Sequence, residues 1–191
     1  CLPEDGPVAI KPVNLTYGEA AAIPIGARTA LYFLRKANVQ SGQKILVYGA
    51  SGSVGSYAVQ IAKHFGANVT GVCSTANLEL VKSLGADLVI DYTAQDFSSE
   101  GEIYDVIFEA VDKSSFADCM KSLKKDGTYI NVTVPLPGVR MLWSKLTGDK
   151  KLLLSRNSPE TPEALDFLKE LVETRKLKAV IDRHYPLEEI V

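Results

Sequence analysis

From residue 44 onward the chain alternates between two hydrophobic periods. KILVYGA (44–50) is a short, continuously apolar run of the kind buried on both faces of a parallel sheet. Residues 53–65 then place Val54, Tyr57, Ala58, Ile61, Ala62 and Phe65 at helical spacing, and Gly66 closes that helix. NVTGVC is a second strand, residues 76–84 a short helix stopped by Gly85, and DLVIDY a third strand. Residues 95–103 are polar and read as loop. YDVIFEAV is a fourth strand, residues 114–124 a helix, and TYINVTV a fifth strand after the Asp126-Gly127 turn. PLPGVRMLW carries no assignment. KKLLLS is a candidate last strand, and PETPEALDFLKELVETRK is a helix with acidic residues in its first turn. Upstream, Thr16-Tyr17-Gly18-Glu19 has the spacing of a capping box, and the helix through ALYFLRKA is entered or interrupted at Pro24.

Repeated strand–helix units imply an α/β, Rossmann-type doubly wound parallel sheet, because right-handed crossovers bury both of its faces. The natural strand order is 3-2-1-4-5-6. A ligand in such a sheet lies beyond the carboxyl ends of the strands, where the winding reverses. The tips after residues 49, 73, 91, 109 and 132 should therefore meet in one crevice. No internal repeat and no low-complexity tract interrupts this pattern.

Composition narrows the classes. The 191 residues are 46% hydrophobic and 23% charged, with net charge −2, so bulk electrostatics argues against nucleic acid or an anionic membrane as partner. Cys1, Cys73 and Cys119 are odd in number and widely spaced, which fits a reducing, cytoplasmic setting better than a disulfide framework. No run is long and apolar enough to cross a bilayer, and no signal peptide is visible. CLPEDGPVAIKP reads as the middle of a protein and PLEEIV as the start of a helix, so a fragment is expected.

The candidate chemistry sits in GASGSVG. Gly52 lets a backbone approach a pyrophosphate, Gly55 lets the helix pack on the strand, and the amides of Ser53, Val54 and Gly55 face an anion with the helix dipole behind them. Ala50 replaces the first glycine of the usual motif, which is tolerable where φ stays negative. A lone G-x-x-G can equally shape a tight turn; its place between strand and helix favours a nucleotide. At the end of the second strand an acid would bind ribose hydroxyls and repel a 2′-phosphate. Here Cys73-Ser74-Thr75-Ala76-Asn77 carries no carboxylate before Glu79, and Ser74, Thr75 and Asn77 can donate to a phosphate that nothing repels, so NADP is expected over NAD, with Lys63 and Lys82 as loosely placed basic candidates.

ILVYGASGSVGSYAVQIAKHFGANVTGV, followed by LVKSLGADLVIDY, YDVIFEAV and LKAVIDRHYPLEEIV, resembles the medium-chain dehydrogenase/reductases, and most of all their quinone-oxidoreductase-like branch, often labelled zinc-type alcohol dehydrogenases. The likeness runs over nearly the whole chain. It implies that residues 1–20 end a GroES-like catalytic domain, 21–185 form the NAD(P)-binding domain and 186–191 begin the return. It further implies that any zinc ligands lie outside this chain. Ala50, Gly52, Ser53, Val54 and Gly55 match the family's pyrophosphate turn. Ser74 and Asn77 match its adenosine-phosphate loop, without the lysine or arginine common there. Tyr92 matches a tyrosine beside the ribose phosphate and Thr29 a threonine on the nicotinamide side. Ala110, Val111, Val132, Thr133 and Val134 match strand-end segments passing ribose and nicotinamide.

Other side chains are weaker candidates. Cys73 and Cys119 read as packed residues, and His64 and His184 lack partners at metal-ligand spacing. Asp105, Glu109 and Asp112 surround the fourth strand, and Glu109 stands where the family has a carboxylate in a structural or cofactor-proximal role. The resulting expectation is the cofactor domain of an NADPH-dependent oxidoreductase that transfers hydride to a quinone, enone or other activated carbonyl, as a homodimer. Its rivals are a zinc-dependent alcohol dehydrogenase, a non-catalytic nucleotide-binding module and, less compatible with the later segments, a methyltransferase.

Overall fold

The computed structural model describes residues 8–99, 103–133, 149–154 and 161–189. Two helices lead in, α1 (Tyr17–Ala22) and α2 (Pro24–Lys36). The capping box forms: the Thr16 amide donates to Glu19 Oε2 at 2.8 Å, and the Glu19 amide donates to Thr16 Oγ1 at 3.3 Å. Pro24 opens α2 at its first position, where a missing N–H leaves no bond unmade.

The alternation that follows is β1 (Lys44–Tyr48), α3 (Ser53–His64), β2 (Asn68–Cys73), a 3₁₀ turn (Thr75–Asn77) running into α4 (Leu78–Ser83), and β3 (Leu88–Asp91). Then come β4 (Tyr104–Glu109), α5 (Phe116–Ser122), β5 (Leu123–Asn131), β6 (Lys151–Leu154) and α6 (Pro162–Glu173), with a last 3₁₀ turn at Leu187–Glu189. All six strands pair in parallel in the order β3-β2-β1-β4-β5-β6, as the sequence predicts.

One boundary moves. The helix expected over 114–124 stops at Ser122, and β5 starts at once by pairing Leu123 with Tyr104. Asp126 at φ 62° and Gly127 form a kink inside that strand, with a register shift opposite Tyr104 and Val106, rather than a turn before it. Gly127 permits the fold-back, since a Cβ there would lie 2.7 Å from Leu123 Cγ.

Two apolar layers flank the sheet. Ile45 and Val47 of β1 point to one side, where Ala27, Leu31 and Leu34 of α2, Ala58 and Ile61 of α3 and Leu168 and Leu171 of α6 are buried with them. Leu46, between them, points to the other side with Ile107, Cys119, Met120, Leu123 and Tyr129. This second layer is thinner. The crossover from β3 to β4 has no helix among its described residues, and Phe97 and Ile103 pack on the sheet in its place. A groove of about 660 Å³ remains there along Lys44, Asn68, Leu88 and Tyr104. Those are amino ends of strands, so this groove lies away from the predicted crevice.

Tyr57 ties the lead-in helices to the sheet. It is buried, and its hydroxyl donates to the Ala22 carbonyl at 3.1 Å, across the end of α1. Burial pushes its phenol up to about 12, against a smaller lowering by a hydrogen bond from the Val180 backbone. The unfolded chain loses that proton near pH 10. Stability contributed by neutral Tyr57 is therefore complete below about pH 10 and lost as pH rises toward 12. Tyr57→Phe should lose about 1 kcal/mol at neutral pH with the hydrogen bond and should soften the alkaline fall. Denaturant melts of both proteins from pH 8 to 12 check this; parallel alkaline losses would contradict it.

Candidate functional site

The first strand ends in a turn whose geometry is set by contacts that exclude side chains. Gly49 has φ 81°, the left-handed region, and a Cβ on it would lie 2.8 Å from Val111 Cγ1. The Gly49 and Ala50 amides both donate to the Val72 carbonyl at 3.0 Å, which fastens the turn to β2. Ala50 itself is absent from the positive-φ residues and fully buried, so a methyl is tolerated. A Cβ on Gly71 would come within 3.1 Å of that methyl, which places it directly over β2.

Gly52 and Gly55 differ in kind. A Cβ on Gly55 would run into the Gly49 carbonyl oxygen and lie 3.0 Å from Ala50 Cα, so α3 can seat only with glycine there. At Gly52 φ is −78°, and the nearest atom a Cβ would meet is the Gly49 oxygen at 3.4 Å, an ordinary contact. The packing of the protein alone does not need glycine at Gly52. Gly52 is also the N-cap of α3 and supplies no side-chain cap, which leaves first-turn amides at the helix's positive end open to an anion.

The neighbouring tips complete the rim. Beyond β2, Cys73 is buried, and its thiol is raised first by that burial and then by Asp91. Asn77 Nδ2 donates to Ser74 Oγ at 3.2 Å and the Asn77 amide to the Ser74 carbonyl at 2.9 Å, so these two predicted residues form one small loop. Beyond β3, Tyr92 is exposed and stacks on Tyr48 with centroids 6.4 Å apart. Its amide donates to the Cys73 carbonyl.

The β4 tip is organised by Glu109, which is fully buried. Its carboxylate accepts from the Val111 and Asp112 amides at 2.9 Å, from the Ser114 amide at 3.1 Å, and from the Ser114 hydroxyl. This clamp fixes the turn that presses Val111 against Gly49. Asp112, held at φ 53°, accepts from Asn131 Nδ2 at 2.9 Å, and Asn131 Oδ1 accepts from the Thr133 amide and hydroxyl at 2.9 Å. A polar chain thus joins the ends of β4 and β5, and with them Ala110, Val111, Val132 and Thr133.

Thr29 lies on α2, with its hydroxyl bonded to the Ile25 carbonyl. It is brought toward the start of α3 by Gly26, where a Cβ would lie 2.7 Å from the Ser53 carbonyl oxygen. The described candidates of the glycine turn, the strand ends and α2 therefore fall on the carboxyl rim or beside it, and Val134 lies outside the described residues. Lys63 does not: it pairs with Asp87 at 2.8 Å, at the far end of α3 from the turn, and is withdrawn as a phosphate ligand. Asp105 holds Lys124 and the Lys44 amide at the amino end of the sheet. His64 packs against Phe65 and Phe167 instead of standing free, and burial lowers its pKa. Sequence reasoning missed Gly26 and the clamp role of Glu109. A carboxylate followed by Ser114 at turn spacing was the signal available for the latter.

The zinc-binding dehydrogenase family matches residues 84–191, more than half of the chain. A 2-methylene-furan-3-one reductase of Solanum lycopersicum is 40% identical over 187 residues, covering 96% of this chain and 44% of the relative. A chloroplastic NADPH-dependent alkenal/one oxidoreductase of Arabidopsis thaliana is 35% identical over 187 residues, again 96% of this chain and 44% of the relative. Among solved structures, the quinone oxidoreductase from Coxiella burnetii superposes with a TM-score of 0.84 at 28% identity, covering 94% of this chain and 57% of that one. The chain belongs to the medium-chain dehydrogenase/reductase superfamily, in its quinone-oxidoreductase-like branch. It spans about half the length of the curated relatives it matches. The cytoplasmic expectation is overturned: further relatives are chloroplastic in Spinacia oleracea and mitochondrial in Mus musculus, which points to an organelle. Cysteine usage speaks to redox environment alone and does not name a compartment.

Two glycine substitutions separate scaffold from site. Gly55→Ala should destabilise the fold by about 3 kcal/mol or more, through overpacking against backbone that cannot yield. Gly52→Ala should cost less than about 1 kcal/mol yet weaken nucleotide binding at least tenfold. Denaturant unfolding and nucleotide titration read the two effects, and equal losses of stability would refute the distinction. Glu109→Ala should cost about 2–4 kcal/mol by stranding three amides, with Glu109→Gln losing less.

Proposed function

We propose that this chain is the NADPH-binding domain of an oxidoreductase that passes hydride to a quinone, an enone or another activated carbonyl. The observation that carries the reading is Gly52, a glycine the fold does not require, at the uncapped start of α3 on the switch point of a 3-2-1-4-5-6 sheet. The relatives are named as reductases and oxidoreductases of enone-type or quinone substrates, which supports this reading.

A nicotinamide cofactor, when bound, supplies the hydride. The chain's part is to hold and orient it. The amides of Ser53, Val54 and Gly55 would take the pyrophosphate, and Ser74 and Asn77 the adenosine ribose side. Ala110, Val111, Val132 and Thr133 would flank the other ribose and the nicotinamide, with Thr29 across the cleft. Fixing these groups on strand ends lowers the entropic cost of aligning the reactants.

Residues 1–20 and 186–191 are read as the two crossings into a catalytic domain. Ile10, Val13, Tyr17 and Ile25 are strongly exposed, and a groove of about 420 Å³ runs between residues 8–12, α2 and α6. Such a patch suits a covering domain. β6 is an outer strand of the sheet, and pairing across it with a second copy would make the expected homodimer. The second reading, a zinc-dependent alcohol dehydrogenase, is favoured by the description of the matching family. Among the described residues no cluster of metal-ligating side chains occurs, so its zinc would be held elsewhere.

Titration should show NADPH binding to the full-length protein more tightly than NADH, and the reverse order would defeat the cofactor assignment. The full-length protein should reduce a quinone or enone with NADPH and keep that activity after exhaustive chelation. Loss of activity on chelation, restored by zinc, would select the alcohol dehydrogenase reading.

A further inference from the structure

The loop after β2 has no acid of its own, but the fold brings one to it from β3. Asp91 is the register partner of Cys73, and the Thr75 hydroxyl donates to Asp91 Oδ2 at 2.5 Å. Asp91 Oδ1 accepts from the Thr93 amide at 2.9 Å and the Thr93 hydroxyl at 2.7 Å. Bonds from Thr75 and Thr93 hold the carboxyl below its usual range, so it is ionised at neutral pH. Among the described residues these bonds come from hydroxyls and one amide, and no ion pair offsets the charge.

Two consequences follow for whatever approaches residues 74–77. The single Thr75 hydroxyl proton is committed to Asp91, so Thr75 is not a donor to an incoming phosphate. A full negative charge also stands one hydrogen bond behind that loop. A neutral ribose 2′-hydroxyl is indifferent to it, whereas a doubly charged 2′-phosphate is repelled.

We infer that Asp91 limits discrimination between phosphorylated and unphosphorylated nicotinamide nucleotides, acting from the third strand on the loop of the second. The inference rests on the reading of residues 74–77 as the adenosine ribose loop. Ser74 and Asn77 provide the attraction, Asp91 opposes it, and the preference for the 2′-phosphate is modest as a result. Asp91 is thus a specificity residue outside the set that spacing along the chain identifies.

The test is the ratio of dissociation constants for NADH and NADPH, measured by titration of the full-length protein without substrate. Asp91→Asn removes the charge, keeps one acceptor oxygen for the Thr93 amide and hydroxyl, and turns the other position into a donor to Thr75, whose hydroxyl proton is thereby released. It should tighten NADPH by about 3- to 10-fold, as expected for a screened charge several ångströms away, and leave NADH within about twofold. Asp91→Glu, which keeps the charge, should hold the wild-type ratio. An unchanged or lower ratio in Asp91→Asn would overturn the inference, and so would an equal rise in Asp91→Glu. Binding of neither nucleotide by the wild-type protein would instead overturn the cofactor reading beneath it. The same comparison with adenosine 2′,5′-bisphosphate and 5′-AMP should reproduce the ratio.

Discussion

The seating of α3 against the turn that precedes it is the constraint on which the rest of the rim depends. Because Gly55 has no Cβ, the first turn of the helix rests on the Gly49 carbonyl. Its free amides consequently lie at the very end of β1, in the middle of the sheet. Gly26 extends the same logic to α2, which can approach Ser53 closely enough to bring Thr29 to the edge of the cleft. Val111 closes the other side by packing on Gly49. A larger residue at Gly26, Gly49 or Gly55 would push one wall of the cleft outward, and the geometry of three strand tips would change together.

Polar bonding then makes that geometry rigid. Among the described residues buried Glu109 has no cation beside it, which is tolerable because three amides and a hydroxyl satisfy its oxygens. Its hold on the 110–114 turn is carried through Asp112 to Asn131 and Thr133. The left-handed backbone at Asp112 is therefore over-determined from both sides, as a strained residue near a functional rim must be. Both oxygens of Glu109 are taken up by the 111–114 turn, so its part is to shape that turn and the seat of Val111.

Sequence made the fold legible wherever a local rule decided the outcome. The capping box at Thr16, the buried strand KILVYGA, the helical spacing of Val54 to Phe65 and the strand order all follow from periodicity and chirality. The glycine turn between β1 and α3 was legible too, down to a negative φ at Ala50. What escaped were contacts between segments distant in the chain. Asp91 reaches Thr75 across 16 residues, and Lys63 finds Asp87 across 24. Lys63 was assigned by its place in the sequence and Asp91 was given no role, and in both cases the sheet chose the partner. The kink in β5 escaped for a related reason, since the return onto Leu123 is a packing contact that turn chemistry alone does not reveal.

The way helix starts are satisfied gives the site its sharpest outline. Thr16, Ser115 and Thr161 cap α1, α5 and α6 with side-chain oxygens. α2 and α4 continue from preceding helical turns. Among the described residues only α3 begins from a loop without such a cap, and it begins with Gly52, where a side chain would fit. A serine or aspartate there would satisfy one of the orphan amides and add roughly a few tenths of a kcal/mol of stability. The fold forgoes that stabilisation at the one helix start that lies on the switch point of the sheet. An anion supplying the missing acceptor would account for both the open cap and the glycine.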